Sequence, residues 1–176
     1  MRILGIDPGN THSACTVLEV GDGTPPEGIV HEKLDIPNEE FIDLLRHCYD
    51  VDLVACEMIA SQGMAVGKDT FETVRWIGKF EQRLEDGIAI PWLLVYRSSI
   101  KAHICGRANA KDGNVITALV DRWDPQRRFG KYGKGTKKNP GPMYQMSSHV
   151  WQALAVAVYA LENPDLYANE PLELTL

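Results

Sequence analysis

The apolar positions of this chain fall into short dense runs separated by turn residues, and two of those runs end in an acid. Ile3-Leu4-Gly5-Ile6 shows no polar alternation, which predicts a strand at 2–7 buried on both faces and ending at Asp7. Residues 12–20 (HSACTVLEV) predict a second strand, and 28–35 a third beyond the break Gly21-Asp22-Gly23-Thr24-Pro25-Pro26. Three short strands in series read as an antiparallel meander. Asn38 is placed to cap a helix over 39–48, with Glu39 and Glu40 in its first turn and Phe41, Leu44 and Leu45 as its apolar stripe. Residues 51–56 (VDLVAC) predict another buried strand, which stops at Glu57. A helix ahead of that strand suggests a crossover laying it parallel to the first. Asp7 and Glu57 then stand side by side at the sheet edge where open α/β sheets bind ligands.

The rest of the chain alternates longer elements. A glycine-bearing loop at 61–67 leads into a helix over about 69–85, with Phe71, Val74, Ile77, Phe80 and Leu84 at helical spacing. A strand follows at 92–96 (WLLVY), and Asp112 opens a helix to about Trp123. Residues 124–146 are aperiodic and rich in Gly, Pro and Lys, and read as a long mobile basic loop. Ser147 or Ser148 caps a final helix to about Glu162, and 163–176 is an irregular tail. In that helix Val150, Ala153, Leu154, Ala157 and Leu161 form the core face, while His149 and Gln152 share another face at its start. No repeat or linker divides the chain, so a single domain over 1–176 is expected.

Composition changes this picture in one respect. Hydrophobic content of 44% and charged content of 24% are ordinary for a globular protein, and no apolar run approaches a membrane span. Cys15, Cys48, Cys56 and Cys105 form no C-x-x-C pair, so reduced thiols in a cytoplasmic protein are expected, with no membrane partner. The net charge of −6 hides a segregation. Residues 97–138 carry eleven Lys and Arg against three Asp, and the remainder carries seven bases against 21 acids. Such segregation suggests a polyanion-binding face on an acidic body, or else a solvated basic loop of no special use.

Asp7-Pro8-Gly9 has two readings. It is a common turn sequence, or an acid at a buried strand end whose desolvation a cation offsets, with Gly9 letting the backbone approach a ligand. A helix start packed over the sheet edge brings His149 towards Asp7 and Glu57, and an Asp-Glu-His cluster suits a divalent metal. His149 facing solvent is the plain alternative. Two cations on such a mount serve phosphodiester hydrolysis, one activating water and one supporting the leaving oxygen.

Four segments carry a family resemblance: ILGIDPGNTHSA at the start, DLVACEMI around Glu57, GRANAKDGNVITALVDR at 106–122, and HVWQALAVAVYALE at the end. In order and spacing they resemble the RuvC-like Holliday-junction resolvases of the RNase H-like superfamily. The GTKKNPGP loop at 135–142 is similar to phage-encoded relatives. The resemblance implies an α/β fold, an RNase H-like mixed five-stranded sheet flanked by helices on both faces. It implies a homodimer in the cytoplasm of a bacterial cell or phage-infected host. It also implies a Mg²⁺-dependent endonuclease, with Mn²⁺ as substitute, that cuts branched DNA and uses no nucleotide cofactor.

Asp7 and Glu57 are the implied metal ligands. The last helix of the family supplies two more, usually acids three apart, which fall on His149 and Gln152. A neutral amide is a weak ligand for a hard cation, so Gln152 is a departure for which Asp112 is a candidate substitute. His149 is a ligand or a base, and Lys111 is a candidate contact to the scissile phosphate. Expected DNA contacts are Lys68, Arg97, Lys101, Arg107, Lys111, Lys134, Lys137 and Lys138, with Met64 either a wedge at the junction or a packing residue. Three alternatives stay open: a catalytically weakened junction-binding protein, an RNase H-like nuclease for flaps or RNA–DNA hybrids, and an actin-like nucleotide enzyme.

Overall fold

The computed structural model describes residues 1–25, 27–47, 50–60, 65–87 and 90–167. Five strands form one mixed sheet: β1 (Arg2–Asp7), β2 (His12–Glu19), β3 (Ile29–Pro37), β4 (Leu53–Met58) and β5 (Trp92–Tyr96). Their order is β3-β2-β1-β4-β5. β1, β2 and β3 pair antiparallel as the expected meander, and β4 lies parallel to β1, with Ile6 opposite Cys56. β5 continues the parallel half, with Glu57 opposite Val95.

The two-residue period of a strand sorts the side chains into two cores. Ile3, Leu53 and Ala55 join the cluster under α5 (Ser148–Glu162), with α3 (Arg97–Cys105) and α4 (Asp112–Trp123) on the same side. Leu4, Ile6, Val54 and Cys56 point the other way, against α1 (Asn38–Leu45) and α2 (Lys68–Gly87). The same alternation puts Asp7 and Glu57 on the α5 face, one at each of two adjacent strand ends.

Several expectations are corrected by packing. The final helix does not bury a single stripe: from Val150 to Val158 every residue is buried, because α5 is enclosed by sheet on one side and α3 and α4 on the other. In α2, Ile77, Phe80 and Leu84 are buried, but Phe71 and Val74 are exposed. The α3 helix lies where no helix was expected, closed by Gly106 in the left-handed region at φ 74°. Asn38 does not cap α1, whose N-cap is Pro37. Its buried side chain accepts from Ser13 Oγ at 2.7 Å and donates to the Gly9 carbonyl at 3.0 Å. Asn38 therefore braces the turn that follows Asp7. Gly9 itself is required by that turn, since a Cβ there would lie 2.3 Å from the His12 carbonyl oxygen.

The segment 124–146, expected as a long mobile basic loop, makes defined turns and contributes side chains to the core. Gly130, Gly133 and Gly135 take positive φ to tighten its turns, and Met143 and Met146 are buried in the α5-side core. The buried Asp124 carboxylate accepts from the backbone N–H groups of Arg128 (2.8 Å) and Phe129 (2.9 Å). Lys33 on β3 donates to the Pro142 carbonyl. Asp124→Ala leaves two donors without their acceptor and is expected to cost about 1–3 kcal/mol. Limited proteolysis checks this: cleavage within 125–142 should accelerate in the variant, and an unchanged pattern rejects the account. Of the tail, Pro164–Leu166 form a 3₁₀ turn, and 168–176 lie outside the described residues.

Candidate active site

The ends of β1 and β4, the start of α5 and the starts of α3 and α4 surround a cavity of about 760 Å³. Asp7, Glu57, Arg97, Asp112, His149 and Gln152 all line it. Asp7 and Glu57 are buried, at 8% and 7% exposure, so both carboxylates are largely withdrawn from water. Ser147 Oγ caps α5 by accepting from the Val150 N–H, which fixes the first turn that carries His149 and Gln152. His149 Nδ1 lies 3.2 Å from Asp7 Oδ2, and Gln152, one turn on, is 7% exposed.

Arg97 occupies the centre of the acidic group. It is the first residue of α3, directly after β5. Its Nη1 donates to Glu57 Oε1 at 2.8 Å and lies 4.0 Å from Asp7 Oδ1. Its Nη2 donates to Asp112 Oδ2 at 3.0 Å, and Lys101, one helical turn along α3, holds Asp112 Oδ1 at 3.0 Å. Three carboxylates thus share two basic side chains and one imidazole.

Titration follows from this arrangement. Burial, then the charge of Glu57, pushes Asp7 up to about 7, with Arg97 and His149 pulling the other way. Burial also raises Glu57, opposed by the charge and hydrogen bond of Arg97. Asp112 is different: burial acts to raise it, but the Lys101 and Arg97 contacts outweigh burial and hold it below the usual carboxylate range.

The donor types suit a divalent cation, with carboxylate oxygens at two rigid strand ends and an imidazole beside them. Their present orientation does not complete such a cage. Among the described residues no three His, Cys, Asp or Glu side chains form a group that could hold a metal ion, and Glu57 is turned to Arg97.

The remaining expected residues are more scattered. Arg97, expected on a DNA-binding flank, sits inside the cavity, and Lys101 is paired with Asp112. Lys111, expected at the scissile phosphate, is the exposed residue before α4 and does not line the cavity. Arg107, Lys137 and Lys138 are exposed, as is Lys68 at the start of α2. Lys134 approaches the ring of exposed Tyr132 at 6.0 Å, with Lys131 at 5.0 Å from the same ring. Met64 lies outside the described residues. Sequence reasoning did not anticipate the ion pair between Arg97 and Glu57; the weak signal for it was a base immediately after a strand parallel to the one ending in Glu57.

No protein-family model matches the sequence, and no curated protein matches it. Solved structures do. The chain is similar to Thermus thermophilus RuvC, with a TM-score of 0.65 and 17% identity over 94% of this chain and 96% of that one. It is also similar to T. thermophilus RuvC in complex with Holliday junction substrate, with a TM-score of 0.60 and 20% identity over 92% and 93%. The fold is accordingly the RNase H-like α/β fold of RuvC, a mixed five-stranded sheet between two helical layers. No helix among the described residues is long and apolar enough to cross a membrane.

Proposed function

We propose that the chain is a structure-selective endodeoxyribonuclease that resolves Holliday junctions or related branched DNA with a divalent cation, Mg²⁺ or Mn²⁺. The observation that carries this reading is the pairing of Asp7 and Glu57, two buried carboxylates at adjacent strand ends, in an open cavity with His149 above them. Buried like charges side by side are costly unless a cation balances them, and such arrangements concentrate at functional sites. The fold of RuvC, one of whose structures holds a Holliday junction substrate, supports the same substrate class.

Asp7, Glu57 and His149 would hold the cation, with Gln152 a weak neutral donor. The chemistry a bound divalent ion supplies is activation of water and neutralisation of charge at the phosphate. Where it does not ligate the cation, His149, 66% exposed at its side chain, can instead orient a water or accept its proton. Arg107, Lys111, Lys137 and Lys138 give sequence-independent backbone contacts that weaken as salt rises.

Paired nicking requires two such sites. Phe71, 65% exposed, and Val74, 39% exposed, form an apolar patch on α2 suited to a two-fold homodimer. A second reading, a junction binder with weakened catalysis, is favoured by Gln152 and by the Arg97–Glu57 ion pair. A labelled four-way junction and a matched duplex, each with Mg²⁺, Mn²⁺ or EDTA, separate the two. Symmetric nicks on the junction alone, lost in EDTA, support the nuclease. Tight junction binding with no nicks under either metal supports the binder, and equal cutting of both DNAs removes junction selectivity.

A further inference from the structure

We propose that Arg97 is a built-in counter-ion that competes with the divalent cation for Glu57, and that a DNA phosphate relieves this competition by drawing Arg97 to itself. The inference rests on the proposed metal-dependent action on DNA. It makes metal affinity and DNA affinity mutually dependent through one side chain.

Three observations carry it. First, Arg97 Nη1 takes Glu57 Oε1 at 2.8 Å, so the oxygen a cation needs is already neutralised. Second, the exchange leaves no carboxylate stranded. Asp112, the other partner of Arg97, keeps Lys101 at 3.0 Å when Arg97 departs, whereas Glu57 has no second cation hydrogen-bonded to its carboxylate among the described residues and is left open for the metal. Third, Arg97 is open to a phosphate from the cavity side. It starts α3 at the cavity wall, its side chain is 34% exposed, and the guanidinium fork matches a phosphate as well as it matches a carboxylate. The competition also gives Gln152 a physical consequence. With an amide where a fourth charge is expected, the cluster retains its cation less tightly, and a resident arginine becomes an effective rival.

The linkage is reciprocal: whatever factor DNA adds to metal affinity, metal adds to DNA affinity. Mn²⁺ binding to the full chain, followed by the electron-paramagnetic signal of the free ion, measures it without reference to cleavage. In the absence of DNA, Arg97→Gln should bind Mn²⁺ about tenfold more tightly than the wild type, within the range usual for coupled sites. Arg97→Lys, which keeps the charge and loses the fork, should fall between them and guards against a folding artefact in the first variant. Adding a phosphorothioate four-way junction, with DNA-only Mn²⁺ binding subtracted, should tighten Mn²⁺ binding to the wild type and leave Arg97→Gln unchanged. If Arg97→Gln binds Mn²⁺ no more tightly than the wild type while Asp7→Asn removes binding, the competition is refuted and the metal site stands. If none of the proteins binds Mn²⁺, both ideas fall together.

Discussion

Asp7→Asn is expected to abolish junction nicking and, at the same time, to stabilise the protein when metal is absent. The activity loss should be about 10³-fold or more, because removing even one preorganised contact to developing charge costs about 10²–10³. The stability gain follows from the position of the carboxylate. Burial first, and the Glu57 charge second, push Asp7 up to about 7 from its ordinary value of 3.8. The native state therefore holds this proton more tightly than the unfolded chain does. The contribution of Asp7 to stability is fully present below about pH 4 and is lost as pH rises through about 7. At pH 8 the wild type carries the whole cost of an ionised buried acid, and Asn carries none of it. One pKa unit corresponds to about 1.4 kcal/mol, so a gain of about 1–3 kcal/mol at pH 8 is expected. For a chain of this length each kcal/mol moves Tm by about 2–4 °C. Thermal unfolding in EDTA at pH 8 and pH 5 checks both the size and the sign: the variant should melt higher at pH 8, with the gap narrowing at pH 5. Mn²⁺ should then raise Tm for the wild type and not for the variant, since only a native state that binds the ion gains from it. An Asp7→Asn protein that still nicks, or whose Tm advantage is the same at both pH values, would falsify the role assigned to this carboxylate.

What the sequence disclosed of this site depended on local pattern, and what it concealed depended on distance. The apolar runs ending at Asp7 and Glu57 are local, and the two-residue period with one helical crossover suffices to bring them together. Ser147 and the first turn of α5 are legible for the same reason. Arg97 is different, since its partners Glu57 and Asp112 lie 40 and 15 residues away. A surplus of bases over 97–138 takes no account of such partners. In this structure Arg97, Lys101, Arg122 and Arg127 are paired with Glu57, Asp112, Glu162 and Asp121, so the positive charge left without an internal partner is smaller than the surplus implies. The α3 helix escaped because it opens without a side-chain cap and buries only Ile100 fully. The 124–146 segment escaped because three glycines at positive φ and two buried methionines produce order without any periodicity.

Gly5→Ala is expected to damage stability and activity together, and for one geometric reason. Gly5 lies mid-strand on β1, on the face shared by Ile3 and Asp7, directly beneath α5. A Cβ there would stand 2.1 Å from the Ala153 carbonyl oxygen and 3.0 Å from both Ala157 Cβ and Ala157 N. The closest obstacle is backbone, so no rotamer change relieves it; α5 has to lift from the sheet. Overpacking costs about 1–3 kcal/mol and at times more, and a backbone clash belongs at the upper end. A Tm lower by roughly 6–12 °C is the expected result. The same displacement carries His149 and Gln152 away from Asp7 and Glu57, and an error near 1 Å in such a constellation can cost about 10²-fold in rate. Nicking should therefore fall well below wild type even at temperatures where the variant is fully folded. Gly113→Ala is the control. Gly113 lies in the first turn of α4, where an added methyl group meets nothing within 4 Å and φ is not positive. There the methyl group only restricts the unfolded chain and favours helix, for a gain of about 0.4–1 kcal/mol. Opposite signs at the two glycines mean that contact between β1 and α5, rather than glycine content, sets the geometry of the site; equal, small effects mean that α5 is not held against Gly5 as closely as the Ala153 carbonyl indicates.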